Sequence, residues 1–137
     1  MEKTVNFDLT GKVAIVTGGS RGLGVELATS MAEYGADIAL MAGNVEKMKK
    51  VAADITEKTG RKVIWVKVNI GDEESVKAAV QTVMDEYGKI DILVNNAAGF
   101  GGGKTLDQVD LKEWDRLIHL NLTSAYMFSM AVLPYMK

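Results

Sequence analysis

The chain has 137 residues, 47% hydrophobic and 25% charged, with a formal net charge of −2. This is the profile of one ordinary domain over residues 1–137, and it excludes intrinsic disorder and a basic footprint for nucleic acid or anionic lipid. No continuous apolar run approaches the roughly 18–20 residues of a membrane span, the polar start Met1 to Gly11 with Glu2 and Asp8 is unlike a secretory signal, and zero cysteines exclude a disulfide scaffold, thiol catalysis and cysteine metal sites. A cysteine-free chain suits a reducing cytoplasm, the expected location.

Val13–Val16 is an apolar run ending at Thr17, and it suits a strand buried on both faces. Thr17-Gly18-Gly19-Ser20-Arg21-Gly22-Leu23-Gly24 follows. Gly18 permits a tight turn, Gly22 lets backbone approach a phosphate, and Gly24 lets a helix pack close to the strand. The N–H groups at the helix start would then face an anion. Leu27, Ala28, Met31 and Ala32 form one face of that first helix, which stops near Gly35. Ile38–Met41 is the second strand. A helix with Met48, Val51, Ala52 and Ile55 on one face stops near Gly60. Val63–Val66, with Val68, is the third strand. A helix carrying Val76, Ala79, Val80, Val83, Met84 and Tyr87 stops at Gly88. Ile92–Val94 is the fourth strand, ending at Asn95. Gly101-Gly102-Gly103-Lys104 lacks the spacing of a P-loop.

Alternation of this kind predicts an α/β, Rossmann-type doubly wound parallel sheet of four strands in the order 3-2-1-4. The last segment, about Leu111 to Met136, is apolar on two sides. Trp114, Leu117, Ile118, Ala125, Phe128 and Val132 make one stripe; Leu122, Tyr126, Met130 and Leu133 make another. One side suits the sheet and the other needs a partner, such as a second copy of the chain. Pro134 is tolerable near the helix end. The fourth strand has no successor, so the pattern reads as a domain cut short before a fifth strand; the plainer alternative is a four-stranded domain that covers its edge by dimerising.

The spacing Gly18, Gly22, Gly24 resembles the cofactor motif of the short-chain dehydrogenase/reductase family. Asn95-Asn96-Ala97-Ala98-Gly99 resembles that family's N-N-A-G motif with one extra alanine, and Asn121 resembles the asparagine of its long helix. The resemblance runs from about Leu9 to Lys137. It implies a Rossmann fold, a nicotinamide dinucleotide, and hydride transfer between a small-molecule alcohol and a ketone. It implies cofactor contacts at Gly18, Ser20, Arg21, Gly22, Leu23 and Gly24, and at Asn95 to Gly99. It places Asn69 and Ile70 at the adenine ring. Of the family's Asn-Ser-Tyr-Lys catalytic group only Asn121 is present, and neither Tyr126 nor Tyr135 has a lysine four residues on.

Other readings of these residues stand beside the resemblance. Asn95 ends a strand, where its amide suits either the adenosine ribose or the adjoining turn. Ala97, Ala98 and Gly99 are small enough for a flat ligand to pass, or for a tight turn. Asn121, on an apolar stripe, would need hydrogen-bond partners if buried. Cofactor choice is read at Ala42-Gly43-Asn44, the end of the second strand, where a carboxylate would favour NAD. There is none: Asp37 begins the strand and Glu46 lies in the next helix. Arg21 suits a 2′-phosphate, so NADP is preferred over NAD, although Gly43 stands where the family often has a second basic residue. His119, the sole histidine, is expected to have a surface or helix-packing role and not to hold a metal, which needs several ligands. The expected function is the cofactor-binding half of an NAD(P)-dependent oxidoreductase, inactive alone. The alternative is a non-catalytic dinucleotide-binding or assembly module. A methyltransferase-type nucleotide domain is disfavoured by the Asn95–Gly99 segment and Asn121.

Overall fold

The computed structural model describes residues 4–137, so Met1 to Lys3, part of the start weighed against a secretory signal, lie outside it. Strands β1 (Val13–Thr17), β2 (Asp37–Ala42), β3 (Val63–Lys67) and β4 (Ile92–Val94) alternate with helices α1 (Leu23–Glu33), α2 (Val45–Thr59) and α3 (Glu73–Tyr87). All pairings are parallel, in the expected order β3-β2-β1-β4. Side chains alternate across each strand, so the sheet carries two cores. Ala14, Val16, Ile38 and Leu40 meet α1 and α2 through Ala28, Ala32, Met48 and Ile55. Ile15, Ala39, Met41 and Val66 meet α3 and the last helix through Val76, Val80, Phe128 and Val132. Helices on both faces make the sheet doubly wound, as the sequence pattern predicts.

Local chemistry sets the helix ends. The side chains of Asn44 and Asp72 accept hydrogen bonds from Lys47 N–H and Glu74 N–H, capping α2 and α3. Both helices stop at a left-handed glycine, Gly60 with φ 71° and Gly88 with φ 74°. The apolar runs of β1 and β2 are buried on both faces. That expectation fails for β3, where Trp65 is 42% exposed, and for β4, which is half-buried throughout. Both are edge strands, so neither has neighbours on two sides to cover it.

The last segment also departs from expectation. It is helical from Leu111 to Met136 but not uniformly α: α4 (Leu111–Ile118) and α5 (Ser124–Met136) are joined by a π-helical turn, His119–Thr123. One extra residue rotates everything after it by about 100°. The single stripe from Trp114 to Val132 is therefore broken. Phe128 and Val132 are buried with Ser124 and Met127, whereas Trp114 and Ile118 are exposed. The second stripe holds as a unit on the outside, with Leu122, Tyr126, Met130 and Leu133 all exposed. The 26-residue helical run has an 18-residue window of mean hydropathy 1.2, long and apolar enough by that measure to cross a bilayer. Counting only unbroken apolar runs misses this, because the polar residues are dispersed among apolar ones. Here one side of α5 packs into the core beside α3.

The short strand β4 is tied to β1 by a carboxylate at its start. Asp91 Oδ2 accepts from Val13 N–H at 2.9 Å and lies 3.1 Å from Lys89 Nζ. Burial opposes ionisation of Asp91, but the Val13 hydrogen bond and Lys89 outweigh it and hold the carboxyl below its ordinary value of 3.8. A lowered folded-state pKa means stability that is present above the ordinary value and lost as pH falls through the folded-state one. Urea unfolding across the acid range should therefore show the native chain losing its advantage over Asp91→Asn as pH drops below about 3.8; a constant gap between the two would remove Asp91 as the tether.

Candidate functional site

At the carboxyl ends of the strands the four connecting loops enclose a cleft of about 600 Å³. It is lined by Gly18, Ser20 and Arg21 after β1, Ala42 and Gly43 at the end of β2, Lys67 to Ile70 at the end of β3, and Asn96 to Ala98 after β4. This is the place where strand order reverses, with β2 and β4 on opposite sides of β1. Ligands of open α/β sheets bind at such a switch point.

The glycine loop is built as its spacing suggests, with one exception. Gly18 has φ 67°, and a Cβ there would lie 2.8 Å from Asn96 Nδ2. Gly24 is where α1 approaches the loop: a Cβ would overlap Gly18 O, so no side chain fits. Gly22 has φ 58° and open space around it, so it meets the expected need for exposed backbone but its requirement is conformational. Gly22 caps α1 with no side chain, whereas α2, α3 and α4 each have a side-chain cap. The first N–H groups of α1 are thus available to an anion. Leu23 contributes only this backbone; its side chain is exposed and does not line the cleft.

A hydroxyl holds the loop against β4. Thr17, buried to 1% exposure, donates through Oγ1 to Val94 O at 3.2 Å and accepts from Asn96 N–H and Ala97 N–H, each at 3.0 Å. Asn96 Nδ2 donates back to Thr17 O at 3.1 Å. Asn96 is therefore a latch on the glycine loop as well as a wall of the cleft. Asn69 keeps its loop in shape: its Oδ1 accepts from Gly71 N–H, and its own N–H donates to Ser75 Oγ, both at 3.0 Å. With Ile70 it forms the β3 side of the cleft.

Several expected contacts lie elsewhere. Asn95 points to α5, donating to Ser129 Oγ at 3.3 Å, and is absent from the cleft lining; alternation along the strand sends it to the opposite side from Asn96. Asn44 spends its side chain as the cap of α2. Gly99 is small because of the last helix, since a Cβ there would lie 2.6 Å from Leu120 Cδ1. Asn121 is exposed, not buried; its Nδ2 donates to Gly99 O at 3.1 Å and to Leu117 O at 2.9 Å. His119 is exposed, and its Nε2 lies 2.7 Å from Gly71 O in the turn between β3 and α3. Asp37 is held by Arg61 at 2.8 Å at the far end of β2, and Glu46 pairs with Lys49, so neither serves the cleft.

Two groups of the site were not anticipated, Thr17 behind the cleft wall and Lys67 in it. Thr17 looked like the polar end of an apolar strand, and only its burial shows that the hydroxyl is a junction. Lys67 reaches the cleft from β3, where strict alternation from Val63 and the 3-2-1-4 order together place it beside Ala42.

The chain belongs to the short chain dehydrogenase family, whose pattern it matches over residues 12–137. It is 41% identical over 134 residues to the 3-oxoacyl-(acyl-carrier-protein) reductase of Chlamydia muridarum, covering 97% of this chain and 54% of that protein. The structure of L-sorbose reductase from Gluconobacter frateurii, complexed with NADPH and L-sorbose, superposes with a TM-score of 0.89 at 34% identity, over 96% of this chain and 50% of that one. A metagenomic short-chain oxidoreductase in complex with NADP superposes at 0.86 with 34% identity, over 93% of this chain and 57% of that one. The chain thus spans about half the length of the curated relatives it matches.

Replacing the Thr17 hydroxyl with a methyl group tests the latch. Thr17→Val keeps the branched shape but strands the Ala97 N–H, while the Asn96 N–H keeps Val94 O at 3.1 Å, and should cost about 1–3 kcal/mol of stability. Urea unfolding at neutral pH measures it; a change within experimental error would mean that solvent satisfies the loop and that Thr17 does not organise it.

Proposed function

We propose that this chain is the cofactor-binding part of an NAD(P)-dependent oxidoreductase that moves hydride between an alcohol and a ketone. The observation that carries the reading is the cleft: a glycine turn with exposed backbone, opening onto a helix start without a side-chain cap, at the switch point of a parallel sheet. The turn from Gly18 to Gly24 would hold the diphosphate, Asn69 and Ile70 the adenine side, and Asn96 to Ala98 the passage toward the nicotinamide. NADP is the favoured cofactor and NAD the second choice. Supporting this, the cleft lining contains Arg21 and no carboxylate, and two structural neighbours are complexes with NADPH or NADP. The substrate class is a small ketone or alcohol, such as a sugar, polyol or acyl ketone. A second copy of the chain on the Leu122, Tyr126, Met130 and Leu133 face, and a cytoplasmic location, belong to the same proposal; nucleic acid and membrane do not.

The bound cofactor would supply the hydride. The carbonyl oxygen that receives it must also gain a proton. Asn121 is an amide with both Nδ2 hydrogens bonded to backbone oxygens, and it is no acid. Tyr135 is engaged with Gln81 Oε1, and neither it nor Tyr126 lines the cleft. No tyrosine, histidine or carboxylic acid is among the lining residues. This favours, as a second reading, a dinucleotide-binding or assembly module without catalysis.

Following NAD(P)H absorbance with a panel of sugars, polyols and acyl ketones separates the two. The chain alone should bind NADPH and show no turnover, and turnover should appear when a segment carrying the family's serine and Tyr-x-x-x-Lys is supplied. Substrate-dependent turnover by the chain alone would overturn its assignment as an inactive half. For cofactor choice, Arg21→Ala should weaken NADPH more than NADH, by roughly tenfold or more for a charge-assisted phosphate contact. Equal losses in a direct binding titration would take Arg21 out of the 2′-phosphate site.

A further inference from the structure

The cleft wall has a charge pattern that the glycine loop does not explain. Among its lining residues two are charged, and both are cations: Arg21 in the β1–α1 turn and Lys67 at the end of β3. Lys67 pairs in register with Ala42, the last residue of β2. It follows Val63 and Trp65 on one side of β3, and Val63 belongs to the core of α1 and α2, the face that also takes Leu40 and Ala42. Its side chain therefore leaves the strand beside Ala42, and it lines the same cleft as Arg21. Among the described residues, neither Arg21 nor Lys67 is engaged in an ion pair, although lysines 49, 58, 62, 77 and 89 all are. Gly43 has open space around it, since a Cβ there would meet nothing within 4 Å. Two unpaired cations flanking an unfilled turn, with no carboxylate between them, form a pocket for a dianion.

We infer that Lys67 is the second cation of a 2′-phosphate subsite whose first is Arg21, so that NADP is selected by one charge from the glycine loop and one from the neighbouring strand β3. This rests on the dinucleotide reading of the cleft and deepens it. Lys67 is a specificity residue, without a part in proton or hydride movement. Its point charge needs only distance to act, and the long stem lets it reach the rim from an edge strand.

The test is direct binding of NADPH, NADH, 2′,5′-ADP and 5′-AMP to the purified chain, by calorimetry, for the native protein and for Lys67→Gln, Lys67→Arg and Lys67→Glu. The expected result is an NADPH and 2′,5′-ADP affinity lowered on the order of tenfold in Lys67→Gln, with NADH and 5′-AMP unchanged. Lys67→Arg should restore most of the preference, Lys67→Glu should reverse it, and added salt should narrow the native gap between NADPH and NADH. NADH serves as the control for folding. Equal loss of both dinucleotides in Lys67→Gln, or no loss of either, overturns the role of Lys67 while leaving the cleft a dinucleotide site. Native chain that is folded by circular dichroism yet binds none of the four ligands overturns the dinucleotide reading and the Lys67 proposal with it.

Discussion

The hydroxyl of Thr17 is one atom bonded to three backbone groups, and it ties the start of the glycine loop to the segment after β4. β4 has only three residues, Ile92–Val94, and pairs with β1 through Ala14, Ile15 and Val16 alone. So short a ladder would leave the ends of β1 and β4 free to splay. Side chains extend it in both directions. Asp91 takes the Val13 N–H before the ladder begins, and Thr17 takes the Asn96 and Ala97 N–H groups after it ends. The second junction lies where the glycine loop leaves β1. Fixing Asn96 to Thr17 therefore also fixes the distance across the mouth of the cleft.

The rest of the loop follows from that closeness. Asn96 Nδ2 reaches Thr17 O at 3.1 Å and Gly18 O at 3.4 Å, which is possible because residue 18 has no Cβ in the way. Helix α1 then comes down onto Gly18 O through Gly24, where again no Cβ fits. Two of the three motif glycines thus answer to protein packing. Gly22 answers to conformation and exposure without any packing constraint, and it leaves the start of α1 without a side-chain cap. A loop locked on two sides and open on the third presents a fixed set of N–H groups. That is the preorganisation an anion site requires, because little ordering is left to do when the ligand arrives.

The sequence exposes the sheet order, the helices between strands and their glycine stops, because these rest on local periodicity and on glycine conformations that few other residues adopt. It is less informative where a residue type serves two purposes. Asn44, Asn69, Asn95 and Asn96 all stand at strand ends. Burial and partner atoms are needed to separate a helix cap, a loop brace, a helix contact and a loop latch. Edge position is also hidden in a run such as Val63–Val66, which reads as buried although Trp65 is exposed. The π-helical turn at His119–Thr123 leaves no mark in a pattern scanned at one period, so the stripe from Trp114 to Val132 looks continuous when it is not.

That turn bears on the asparagine of the long helix. Asn121 lies inside it, and its two Nδ2 hydrogens go to Leu117 O, four residues back on the helix, and to Gly99 O beyond β4. The amide therefore sews the long helix to the strand-end segment that walls the cleft. Gly99 must be glycine for Leu120 to come close enough, so the bond and the packing enforce each other. With both hydrogens spent, Oδ1 is the atom of this exposed side chain left without a partner among the described residues. An oxygen held in place by two anchored hydrogens can only accept. Asn121 Oδ1 is thus open to a hydrogen-bond donor, and the amide is not an acid.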